Sequence, residues 1–151
     1  MNIISLNLAH IRQLLAIESV CFSTPWSRDT MEWALTESDI HGVGLENDNS
    51  IVAYGFLRHS IVDGKPYEQS DLLNIAVAPI YQGMGYGKAL LSNIMNLAWH
   101  GGAKQIFLEV RESNKQAQQL YVAAGFSKIG FRRGYYSSPE EDAVIMISQR
   151  K

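Results

Sequence analysis

Gly83, Gly85 and Gly87 place three glycines within five residues, between an apolar run at 74–78 and the apolar stretch opening at Ala89-Leu90-Leu91. Glycines at a strand-to-helix turn point several backbone N–H groups at one spot beside the positive end of a helix. That arrangement suits a phosphate or pyrophosphate. Two familiar phosphate loops fail on spacing. A P-loop ending at Gly87-Lys88 needs Gly where Gln82 stands and Ser or Thr where Ala89 stands. A dinucleotide fingerprint needs its last glycine where Lys88 or Leu90 stands, depending on register. The alternative to a phosphate cradle is a plain flexible turn.

Glu109 is the first candidate for acid–base work. It interrupts the apolar run Ile106-Phe107-Leu108-Glu109-Val110, and strand alternation turns it away from Ile106, Leu108 and Val110. A carboxylate among hydrophobes is a suitable general base near neutral pH. The alternative is a structural carboxylate, paired with Arg111 or Lys104 or exposed on one sheet face. Tyr121 follows Ala117 by one helical turn and reads as a core aromatic with its hydroxyl at the rim. Asn114 reads as a helix N-cap. His10, His41, His59 and His100 lack metal-ligand spacing, so no metal is expected. No Gly-x-Ser-x-Gly elbow is present and Cys21 lies in no nucleophile motif, which disfavours covalent catalysis.

Strands and helices must hold these residues in place. Residues 3–6 read as a short first strand. Ile11, Leu14 and Leu15, with residues 18–20, keep a helical period that ends before Thr24-Pro25. Ser27 is placed to cap a second helix carrying Met31, Ala34 and Leu35. Residues 41–46 and 50–60 flank Asn47-Asp48-Asn49 and read as a β-hairpin. Asp63-Gly64-Lys65-Pro66 reads as a further turn, into a strand over about 69–77. After the glycine turn, Leu90, Leu91, Ile94, Met95, Leu97 and Ala98 give a helix that Gly101-Gly102 stops. A strand over 106–110, a helix from Asn114 to Gly125, and strands over 126–132 and 143–148 follow. The order β-α-α-β-β-β-α-β-α-β-β implies an α/β fold, a central mixed sheet flanked by helices.

Composition narrows the function classes. A chain of 151 residues, 46% hydrophobic and 19% charged, matches one globular domain, expected over 1–151. A net charge of −2 without a Lys/Arg-rich run argues against a nucleic-acid or membrane surface. Basic segments of other proteins remain eligible partners. Cys21 is the only cysteine, which fits a reducing compartment. The start Met1-Asn2-Ile3-Ile4 has no signal-peptide pattern and no run reaches membrane-spanning length, so a cytoplasmic location is expected.

The motifs together resemble one family. Gln82-Gly83-Met84-Gly85-Tyr86-Gly87 is similar to the Q/R-x-x-G-x-G/A pyrophosphate loop of the GNAT N-acetyltransferases, whose element order also matches. Other pieces agree in order and spacing. They include Phe22-Ser23-Thr24-Pro25-Trp26-Ser27, Asn74-Ile75-Ala76-Val77, Leu108-Glu109-Val110-Arg111, Ser113-Asn114, Leu120-Tyr121 and Arg132-Arg133-Gly134-Tyr135-Tyr136. Within the family the similarity is greatest to bacterial enzymes that acetylate the N-terminal alanine of small-subunit ribosomal protein number eighteen. Two positions depart from that pattern. Gly83 stands where such loops usually carry Arg, and Gly134 where many relatives have Asn.

The resemblance implies acetyl-coenzyme A (acetyl-CoA) as cosubstrate and direct transfer to an amine. Ile75, Ala76 and Val77 would bind the pantetheine arm, with the Val77 N–H near the thioester carbonyl. Gly83, Met84, Gly85, Tyr86, Gly87 and Lys88 would hold the pyrophosphate through backbone N–H groups, and Asn114 would contact the cofactor. Glu109 would be the general base and Tyr121 the general acid. Trp26, Tyr135 and Tyr136, aromatics expected in loops, would line the acceptor groove, with Glu140, Glu141 or Asp142 facing the basic N-terminal segment of a ribosomal protein. Ordinary loop packing is the alternative for those aromatics. A lysine side chain or small amine as acceptor, or a non-catalytic coenzyme A-binding module, are the alternative functions.

Overall fold

Two tight turns organise the first half of the sheet. Asp48 and Asn49 adopt φ of 50° and 63°, and Asp63 and Gly64 φ of 52° and 72°. Consecutive left-handed residues match the right-handed twist of the strands they join, so each pair closes a two-residue hairpin. The second turn is therefore shorter than the sequence suggests, and its strand starts at Lys65 rather than near 69. Pro66 is tolerated there because this end of the strand has a neighbour on one side only.

The computed structural model describes residues 1–150, with the side chains of 61, 62, 66 and 67 left outside. Lys151, the last residue of the expected domain, also lies outside the described residues. The elements are β1 (Asn2–Ser5), α1 (Ile11–Cys21), α2 (Arg28–Thr36), β2 (Ile40–Asn47), β3 (Ser50–Val62), β4 (Lys65–Val77), α3 (Tyr86–His100), β5 (Gln105–Arg111), α4 (Lys115–Ala123), β6 (Ser127–Tyr136) and β7 (Glu141–Gln149). Their order is the expected one. The seven strands form one sheet, β1-β2-β3-β4-β5-β7-β6, in which only β4 and β5 run parallel. The α3 crossover joins that pair, as a parallel connection requires.

Helices cover both faces. Leu14 of α1 and Met31 of α2 pack with Tyr54 and Phe56 on one side. Leu90, Leu91 and Ile94 of α3, with Tyr121 of α4, pack with Leu57, Val144 and Met146 on the other. At Gly55 the α3 helix presses directly on β3, where an added Cβ would meet Ile94 Cδ1 at 2.5 Å.

One irregularity sets up everything functional. β4 and β5 pair only at Gln69↔Gln105, Ser70↔Ile106 and Asp71↔Phe107. Just beyond, Phe56 pairs with Asn74 and Leu57 with Leu72, leaving Leu73 as an extra residue in a bulge. Bulges bend and twist a strand. From there β4 stays with β3, β5 stays with β7, and the sheet opens between them.

Gly55→Ala tests the fit of α3 on the sheet. Overpacking of a full core costs about 1–3 kcal/mol. Denaturant unfolding should show that loss with an unchanged m-value, and an undiminished midpoint would mean that Ile94 swings aside freely.

Candidate active site

The opening between β4 and β5 holds a cavity of about 1270 Å³. Every residue assigned to the site from sequence lines it except Met84, which is 61% exposed on the outside of the glycine turn. Ile75, Ala76 and Val77 form the β4 wall, with Glu109 on the β5 wall.

The start of α3 makes one end. Gly85 is its N-cap at φ 85°, and no side chain caps the helix. By contrast, Ser27 Oγ and Asn114 Oδ1 cap α2 and α4, each 3.1 Å from a backbone N–H. The first intrahelical bond of α3 runs from the Ala89 N–H to the Gly85 carbonyl. The N–H groups of Tyr86, Gly87 and Lys88 therefore have no partner within the helix. A Cβ on Gly83 or Gly85 would meet no heavy atom within 4 Å, so backbone conformation, not crowding, calls for glycine there. Gln82 Nε2 donates to the Val77 carbonyl at 2.9 Å and ties this turn to the end of β4. Free N–H donors at a positive helix end, with Lys88 beside them, fit a pyrophosphate.

The other end is built differently from the sequence expectation. Glu109 is not set among hydrophobes, because its face of β5 looks into the opening. Nor does it pair with Arg111 or Lys104. Arg132 reaches across β7 and places Nη1 3.1 Å from Glu109 Oε1, while Lys104 pairs with Glu68 and Arg111 with Glu141. Tyr121 is buried edge-on against Phe126, at 5.8 Å. Burial, and then Tyr136, raise its pKa, so the phenol holds its proton through the neutral range. No buried polar side-chain atom among the described residues lacks a partner, and no hydrogen bond engages the Tyr121 hydroxyl. The hydroxyl therefore reaches the open cavity that Tyr121 lines.

Tyr135 and Tyr136 also correct the expectation, since β6 carries them at its end rather than in a loop. Gly134, at φ 60°, kinks the strand without ending it. Burial and Glu109 push Tyr136 up to about 12. Trp26 does lie in a loop, its ring tilted against Phe56 with centroids 5.5 Å apart.

Residues 8–126 match the model of the Acetyltransferase (GNAT) family. The chain belongs to the GNAT family. It is 34% identical over 137 residues to the [ribosomal protein bS18]-alanine N-acetyltransferase of Haemophilus ducreyi, covering 89% of this chain and 90% of that one. The enzyme of the same name from Escherichia coli is 33% identical over 132 residues, 86% of this chain and 84% of its own. The crystal structure of the ribosomal-protein-S18-alanine N-acetyltransferase from Escherichia coli superposes with a TM-score of 0.86 at 31% identity, covering 98% of this chain and 92% of that one. The expected fold is thereby borne out.

On this GNAT scaffold, Arg111 binds two loops at the end of the cavity lined by Trp26, Tyr135 and Tyr136. Its guanidinium donates to the Ser137 and Pro139 carbonyls at 3.1 and 3.0 Å and to Glu141 at 3.1 Å. It also lies 4.5 Å from the Tyr136 ring. Thr24, in the α1–α2 loop, joins the same cluster through Ser137 and Ser138. Glu141 also accepts the Ser113 N–H, and hydrogen bonding to Ser113, through its side chain first and then its backbone, together with Arg111, holds the Glu141 carboxyl below the usual range. Asp142 accepts the Gly134 N–H at 2.8 Å. Glu141 and Asp142 are thus engaged within the protein, leaving Glu140 as the exposed carboxylate of the three.

The sequence reading missed Glu18, which lines the cavity yet is only 1% exposed. A signal was available. Glu18 follows Ile11 and Leu14 at i+7 and i+4, so it sits on the buried stripe of α1 where a carboxylate is out of place.

Arg111→Ala should release the 137–140 loop. Losing hydrogen bonds to a charged group should speed limited proteolysis within that loop about tenfold or more. A parental cleavage rate would mean that the loop is held by other contacts.

Proposed function

We propose that this enzyme transfers the acetyl group of acetyl-CoA to the α-amino group of an N-terminal alanine on ribosomal protein bS18, acting in the cytoplasm as a single domain over 1–151. One observation carries the reading. A single cavity joins free helix N–H donors at one end to Glu109, Tyr121 and three aromatics at the other. The activities for which the relatives are named, at 33–34% identity over most of the chain, supply the acceptor.

The N–H groups of Tyr86, Gly87 and Lys88 and the Gly83–Gly85 turn would hold the pyrophosphate, with Ile75, Ala76 and Val77 along the pantetheine arm and Asn114 beside it. When bound, acetyl-CoA supplies an activated acyl group. The remaining work belongs to side chains. An α-ammonium has a reference pKa near 8 and must lose a proton before it attacks. Glu109 takes that proton, through water, held in place by Arg132. Tyr121 returns a proton to the departing thiolate. Trp26, Tyr135 and Tyr136 flank the peptide, and Glu140 faces its basic residues. Holding both substrates side by side supplies much of the acceleration.

An acetylation assay with an Ala-starting basic peptide, its N-blocked form, a lysine-containing control and a small amine tests the acceptor. Transfer only to the free Ala terminus is the expected result, and preference for the blocked peptide or the small amine would overturn it. Glu109→Gln and Tyr121→Phe should each lower kcat at least about tenfold, since general acids and bases contribute about 10²–10⁴-fold. Because burial raises Tyr121, its acid form persists upward in pH, so kcat should not fall until above the ordinary tyrosine value of about 10. A Tyr121-dependent fall below that pH would remove it as the acid.

Gly85→Val forces a β-branched residue into φ 85°. Calorimetry should find acetyl-CoA binding at least tenfold weaker, about 1.4 kcal/mol. Unchanged affinity in a folded variant would move the pyrophosphate elsewhere.

A further inference from the structure

The cavity contains a second carboxylate that the chemistry above does not use. Glu18 is buried at the end of α1 and makes three hydrogen bonds to three different segments. Its Oε2 accepts the Trp26 backbone N–H at 2.7 Å, in the α1–α2 loop. Its Oε1 accepts the Tyr54 hydroxyl at 2.5 Å, from β3, and the Asn74 side-chain amide, from β4. No cation pairs with it among the described residues, whereas Glu109 and Glu141 each have an arginine. All three groups donate, and an ionised carboxylate is acceptor-only, so the set is matched to that form.

Such a group is costly to bury, and removing one partner of a buried charged hydrogen bond is costlier still. What it holds together is informative. Trp26 belongs to the loop at the acceptor end. Asn74 follows the bulge residue Leu73, where β4 turns away from β5. Tyr54 lies between them on the sheet, opposite Ala76.

We infer that Glu18 is a positioning residue for the acceptor: its carboxylate fixes the Trp26 loop against the splayed part of β4, and so sets the acceptor's wall relative to the cofactor's strand. This rests on the reading of Trp26 as part of the acceptor groove. The two sides of the link are not equally secure. Residues 75–77 of β4 are also held by their own ladder with Gly55, Tyr54 and Ala53. The Trp26 backbone has no ladder to fall back on. Loss of the carboxylate therefore falls on the loop and spares the cofactor strand.

Glu18→Gln keeps the shape but turns one acceptor oxygen into a donor, which cannot face three donors at once. We expect the KM for the Ala-starting basic peptide to rise at least tenfold, while the Kd for acetyl-CoA by calorimetry stays within twofold. Tyr54→Phe removes a single arm and should give the same split with a smaller rise. It decides the matter should Glu18→Gln fail to fold. A peptide KM within twofold of the parent in a folded variant would overturn the inference. So would a loss of acetyl-CoA affinity equal to the rise in KM, because that is the mark of general destabilisation. Failure of the acceptor assignment would be visible in the parent protein itself. The same KM-against-Kd comparison then runs on whichever amine the parent acetylates, and its outcome still decides for or against Glu18.

Discussion

The parting of β4 and β5 is the constraint on which the site depends. Parallel strands ordinarily continue side by side, and here pairing stops after three residues, at a one-residue bulge. Had it continued, the two walls would meet at ladder distance, with no room for a cavity. The separation leaves the end of β4, the face of β5 with Glu109, and the start of α3 around one space. The rest of the fold keeps that gap from closing. α3 is pressed onto β3 at Gly55, and α4 packs Tyr121 against Phe126 below the opening.

Charge is distributed around the gap with comparable economy. Arg132 serves Glu109 on one side and lies 5.0 Å from the Tyr135 ring on the other. Arg111 does the same for Glu141 and Tyr136. Each arginine thus links a carboxylate to an aromatic that lines the cavity, and each holds a strand end or loop rather than a free charge. The exposed Arg132–Glu109 pair adds little stability, and the value of both pairs, the more enclosed Arg111–Glu141 included, is geometric.

Much of this was legible in the sequence because it depends on local chemistry. Asn47-Asp48-Asn49 announced a hairpin through residues that tolerate positive φ, and Ser27 and Asn114 announced helix starts through their side-chain oxygens. Alternation in 106–110 put Glu109 on the right face. What escaped were partnerships across long stretches of chain. Glu109 and Arg132 are 23 positions apart, and nothing local selects that arginine over Arg111. The last-but-one strand was expected to end at 132, yet it passes through Gly134, because a bulge absorbs a left-handed residue without ending the ladder. Glu18 was hidden differently, inside a helical period that it satisfied in spacing and violated in polarity.

The missing cap of α3 ties folding to ligand. α2 and α4 carry their own N-terminal acceptors, Ser27 and Asn114, whereas α3 starts at a bare left-handed glycine. In the proposed complex a pyrophosphate would complete that terminus, so the cosubstrate would contribute a structural part that the sequence omits. Binding to the folded form alone adds stability as the logarithm of ligand concentration, about 2.7 kcal/mol at a hundredfold excess over Kd. On that proposal the enzyme's resistance to unfolding follows the supply of coenzyme A, acylated or not, because both forms carry the pyrophosphate.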